Sequence, residues 1–119
     1  MTRRDALRAL LEQVEAGTAT GGPNTYVVPS ETSRLIEAAL GDDDLVWSAF
    51  VSGHDKSIDD AIELLDTMLP GYGFAIERGE AAVWLPDTAG ISRDIVRAEP
   101  TSRALVIAII RALIEEARQ

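Results

Sequence analysis

The 119-residue chain predicts a single α+β domain over 1–119, in which an antiparallel sheet of three to four strands is packed with helices as an alpha-beta-alpha sandwich. Three observations predict it. Two hydroxyl residues, Thr2 and Ser57, each stand three positions before an aspartate, Asp5 and Asp60, and open apolar stripes at helical spacing. Residues 72–85 alternate, turn and return like a hairpin. The last helical stretch carries an apolar run, Ala104 to Ile110, too wide for a surface helix.

In chain order, Leu7, Leu10, Leu11 and Val14 form the stripe of a first helix that ends near Gly17. Residues 17–25, rich in small residues and holding Pro23, predict a flexible loop, and Tyr26-Val27-Val28 a short extended piece. Ser30 is expected to cap a second helix that buries Leu35, Ile36, Ala39 and Leu40 and closes at Gly41. Asp42 to Asp44 make the next turn. Leu45 to Val51, full of β-branched and aromatic residues, predicts a first strand. From Ser57 a third helix carries Ile58, Ala61, Ile62, Leu65, Met68 and Leu69 as far as Pro70-Gly71. Tyr72, Phe74 and Ile76 then alternate with smaller residues, Arg78-Gly79-Glu80 turns the chain, and Ala81 to Leu85 is the partner strand. Because Ala82 and Trp84 oppose Val83 and Leu85, both faces of that strand are apolar, which predicts cover on both sides. Ile91 to Ala98 adds a strand, Pro100 breaks it, and Thr101 to Ala117 is the fourth helix, either the most buried one or the centre of a dimer interface.

Composition narrows the partners. With 11 basic against 20 acidic residues and a formal charge of −9, the chain repels phosphate backbones, so neither a nucleic acid polymer nor an anionic membrane is expected as a partner. There is no cysteine, hence no disulfide and no thiolate metal site, and no signal-like apolar start follows Met1, so the expected location is the cytoplasm. No cofactor, metal site or catalytic residue is predicted. His54-Asp55-Lys56-Ser57 holds the residue types of a hydrolase triad, yet neighbours in sequence do not converge, and a solvated loop leading to a helix cap accounts for them better. Asp42-Asp43-Asp44 lacks the spaced ligands and distal glutamate of a calcium loop and reads as an acidic turn.

The polar group with most chemical content surrounds the start of the last helix. Arg93 and Arg97 precede Thr101, Ser102 and Arg103, and unpaired N–H groups at a helix start together with arginines suit phosphate or carboxylate. Trp47 and Trp84 offer rings on which a base could stack, Trp84 near these arginines if the even-numbered face of the hairpin is open, but core packing is the simpler use of both. Salt bridges to some of the twenty acids are the simpler use of these arginines and outweigh the ligand reading.

Ser57-Ile58-Asp59-Asp60-Ala61-Ile62, Met68-Leu69-Pro70-Gly71-Tyr72 and Ala104 to Leu113 resemble the helix start, helix end and terminal helix of the phage ABA-sandwich family. The resemblance covers roughly the second half of the chain, and its motifs concern caps and packing. One departure lies before the last helix, where the family often has a threonine-proline pair; here Ser102-Arg103 stand there and the proline is Pro100. The resemblance implies a phage-encoded protein in the host cytoplasm that binds rather than turns over substrate, as a homodimer or larger oligomer. Two mechanisms follow from it: docking of a host or phage protein in an anti-defence role, or sequestration of a cyclic nucleotide signal by Arg97, Arg103 and Trp84. The alternatives are an accessory structural phage protein and, last, an enzyme using carboxylates such as Asp59 and Asp94.

Overall fold

In the computed structural model, residues 2–20, 28–86 and 94–117 are described. The expected loop at 17–25 and the extended piece at 26–28 therefore fall mostly outside the described residues, as does the first part of the strand expected at 91–98.

The chain runs α1 (Arg3–Ala16), α2 (Ser30–Leu40), α3 (Asp44–Asp55), α4 (Ile58–Met68), β1 (Gly73–Glu77), β2 (Glu80–Trp84), β3 (Val96–Arg97) and α5 (Thr101–Glu116). Among the described residues, five helices and one antiparallel sheet of order β1-β2-β3 make it an α+β fold. The helix starts at Thr2 and Ser57 form as local chemistry dictates: Thr2 accepts from the Asp5 N–H and Ser57 from the Asp60 N–H, both at 3.1 Å. Ser30 does not cap α2. Pro29 holds that position with no side-chain bond, and Ser30 is the first helical residue.

The largest correction concerns Leu45 to Val51, which is not a strand but the body of α3. Asp43 accepts from the Leu45 N–H at 2.8 Å and so starts a helix within the acidic turn. The buried residues Val46, Ala49, Phe50, Gly53 and His54 then recur at three- and four-residue spacing. β-branched composition favours strands only weakly, and burial of a helical stripe against α4 and α5 overrides it.

Helix α5 is the axis of the molecule. It packs against α1, α3 and α4 on one side and against the sheet, β2 above all, on the other. Ala104 through Ile110 are all buried because protein surrounds them on every side, so the apolar run is explained within one chain. The described helices meet the sheet chiefly through α5. Cross-strand pairing puts Phe74, Ile76, Ala81, Val83 and Val96 on one face, of which Ala81 and Val96 belong to the main core and Ile76 and Val83 pack against it. On the opposite face Ala75, Glu77 and Arg97 are exposed, whereas Ala82 of β2 is buried and Trp84 half-buried, so the apolar character expected of both faces of β2 is matched by burial on both. Trp84 uses the apolar character of that outer face itself: its indole lies so close to Gly73 that a Cβ there would come within 2.8 Å of the ring.

Of the described part of the strand expected at 91–98, Val96 and Arg97 form β3 and pair with Ala81 and Glu80. The hairpin turn is tied to both β3 and α5 through Gly79. Its N–H donates to Thr101 Oγ1 at 2.8 Å and its carbonyl accepts from the Ala98 N–H at 3.0 Å. Its φ of 73° suits glycine, and a Cβ there would collide with the Glu99 carboxylate.

Candidate functional site

The densest polar cluster is built where the C-terminal end of α3 meets the start of α5. His54 is the penultimate residue of α3 and is fully buried, on the stripe that also buries Phe50, so it does not belong to the solvated loop expected from sequence. Its Nδ1 lies 2.9 Å from Asp55 Oδ1, and Thr20, reaching in from beyond α1, donates its hydroxyl to the same carboxylate oxygen. Arg103 lies alongside and donates from Nε to the His54 carbonyl at 3.0 Å and from Nη1 to the Glu99 carbonyl at 3.0 Å. A cation bonded to the last carbonyls of α3 is favourable both as a hydrogen bond and against the negative end of the helix.

Burial holds the His54 pKa below its ordinary value; the hydrogen bond and charge of Asp55 oppose this, while the Arg103 charge adds to it. His54 is therefore neutral near pH 7, with Nδ1–H donating to Asp55. Nε2 is buried with no hydrogen-bond partner among the described residues, a smaller penalty for a bare lone pair than for an N–H. The sign of the pH effect follows: below about pH 6.5 the unfolded chain binds a proton at this histidine before the folded chain does, so stability falls as pH drops from there. Thermal melts at pH 7.5 and 5.5 are expected to show a larger loss on acidification for the wild type than for His54→Phe, by up to about 1 kcal/mol per pH unit for one proton. Equal losses in both proteins would show that His54 is not the group responsible.

The residues singled out from sequence are only partly brought together. Arg97 points to the outer face of the sheet, where its Nε meets Glu80 Oε1 at 3.1 Å, with 77 % of its side chain exposed. Arg103 is turned the other way, into the junction of α3 and α5. Thr101 is occupied by the hairpin turn, Ser102 is 1 % exposed with no hydrogen-bond partner for its hydroxyl among the described residues, and Trp84 lies along Gly73. Arg93 lies outside the described residues. Of the carboxylates considered for catalysis, Asp59 and Asp94 are both exposed and belong to separate parts of the chain. Among the described residues no group of three or more His, Asp or Glu is placed to hold a metal ion. The link from Thr20 to Asp55 and His54 has no local sequence signal; the helical spacing of His54 with Val46 and Phe50 is the one feature of the sequence that points to a buried histidine.

A second feature is apolar. Among the described residues four large hydrophobic ones are exposed, and three of them border the sheet: Phe74 on β1 at 37 %, Leu85 just after β2 at 45 %, and Ile95 just before β3 at 56 %.

Fold and sites together define an α+β domain built on a central helix, with a buried polar junction and an apolar margin along its sheet. In comparisons with family models, curated proteins and solved structures, the chain matched none. No helix among the described residues is long and apolar enough to cross a membrane.

Proposed function

We propose that this chain is a non-catalytic binding protein of the phage type that docks another protein through the margin of its sheet and works as a homo-oligomer in the host cytoplasm. The observation that carries the reading is the exposure of Phe74, Leu85 and Ile95 around one small sheet. Exposed large apolar side chains are the usual anchors of a protein-docking surface. The formal charge of −9 over the whole chain favours a basic partner. Action without turnover is supported by how the reactive-looking groups are used: Ser57 is a helix cap and His54 is sealed in the core. The phage assignment and the anti-defence role rest on the motif resemblance of Ser57 to Ile62, Met68 to Tyr72 and the last helix.

A Leu85→Ser, Ile95→Ser double variant is expected to keep the wild-type circular dichroism and melting temperature while losing the proteins that the wild type retains from host lysate at physiological salt. An identical retained set would overturn the docking reading. One observation favours the second mechanism, sequestration of an anionic nucleotide: the buried, unpartnered Ser102 hydroxyl in the first turn of α5, next to Arg103. Native mass spectrometry of freshly purified protein separates the two, since a reproducible added mass of nucleotide size supports sequestration and its absence leaves docking.

A further inference from the structure

The two edges of the sheet are not alike. β3 is two residues long and carries the charged Arg97, features that discourage further pairing. β1, at the other edge, is five residues, Gly73-Phe74-Ala75-Ile76-Glu77, paired without interruption to β2 and holding no proline, lysine or bulge.

The register settles which groups face outwards. Glu77 pairs with Glu80 across the two-residue turn, and such a closing pair exchanges both hydrogen bonds. Alternation makes Ala75 with Ala82 and Gly73 with Trp84 the other bonded pairs. The bond from Ala98 N–H to the Gly79 carbonyl, on the β3 side of the hairpin, fits the same parity. The N–H and C=O groups of Phe74 and Ile76 therefore point away from β2, along the outer edge.

We propose that this edge pairs with β1 of a second copy of the chain, antiparallel about a two-fold axis through Ala75, joining two three-stranded sheets into one of six. In this register Phe74 faces Ile76 of the second copy and Ile76 faces its Phe74. Both pairs are hydrogen-bonded, four bonds in all by symmetry, and set apolar side chains side by side on the face that packs on α5. Ala75 meets the second Ala75 in a close, non-bonded pair, small beside small. Glu77 meets Gly73 and not the other Glu77, so no like charges stand opposite. Centring the axis on Phe74 or Ile76 instead leaves part of the five-residue strand unpaired. The match between outward-pointing backbone groups and a self-complementary residue pattern selects a second copy as the occupant.

This surface rests on the oligomer part of the reading above, and the tests separate the two. Sedimentation of the wild type at about physiological salt is expected to show a dimer, roughly twice 12.8 kDa. Because each chain carries −9, lowering the salt is expected to weaken it. Ala75→Lys places two cations against each other on the axis at an exposed position, and is expected to shift dissociation at least about tenfold towards monomer with the fold retained. Since the chain has no cysteine, Ala75→Cys is expected to form a disulfide-linked dimer on mild oxidation, the close pair having Cα atoms about 4.5 Å apart, whereas Ser48→Cys, exposed on α3, is not. A dimer untouched by Ala75→Lys, or one in which the two cysteine variants cross-link equally, overturns the β1 interface and leaves the oligomer in place. A monomer at every concentration overturns both.

Discussion

Phe50→Ala is expected to cost about 3–5 kcal/mol of stability and to lower the melting temperature by more than roughly 10 °C. The phenyl ring is fully buried in the middle of α3, with its centroid 6.3 Å from that of the His54 ring. Truncation removes a whole aromatic side chain from a site enclosed by helices that pack on one another, so collapse into the gap is limited. Urea titration followed by far-UV circular dichroism measures the loss directly. It also tests α3 itself: a strand over 45–51 at the surface of a sheet would tolerate the change far better, and a loss below about 1 kcal/mol would contradict the buried helix.

Gly53→Val is expected to be destabilising by about 3 kcal/mol, by the opposite mechanism. A Cβ at Gly53 would lie 3.1 Å from Val106 Cγ2 and 3.2 Å from both Cα and Cβ of Ala61, because α3 crosses α4 and α5 here at close range. Propensity alone argues the other way, since glycine inside a helix is about 1 kcal/mol worse than alanine. The contact with Ala61 Cα decides the sign, because backbone cannot rotate aside as a side-chain tip does, and valine adds two further methyl groups to a gap that admits none. Chemical denaturation of Gly53→Ala and Gly53→Val in parallel gives the comparison, with a graded loss expected and an unchanged midpoint for Gly53→Val ruling out the close crossing.

The same two residues show where sequence reading stopped at the site. Phe50 and Gly53 lie on the stripe that ends at His54, and a strand over residues 45–51 would leave the histidine outside the core. The sequence puts Arg103 in the first turn of α5, and there its Nε donates to the carbonyl of His54, 49 residues earlier. Nothing in the order of residues along the chain encodes a meeting between the ends of α3 and α5. Thr20 is a further case: a polar residue in a small-residue stretch, it finds Asp55 only because α1 packs beside α5.

By itself the sequence determined what local energetics control. The caps at Thr2 and Ser57, the glycine ends of α1 and α2, the hairpin about Arg78-Gly79 and the extent of α5 all follow from hydrogen bonds and turn preferences within a few residues. Tertiary structure decided the rest. It made α3 a helix against the strand preference of its residues, because burying one stripe against two other helices outweighs tenths of a kcal/mol per residue of propensity. It enclosed the apolar run of α5 within one chain, and it parted Arg97 from Arg103 by giving each a nearer oxygen. These outcomes depend on which surfaces meet in space, and that is set by the packing of the whole domain.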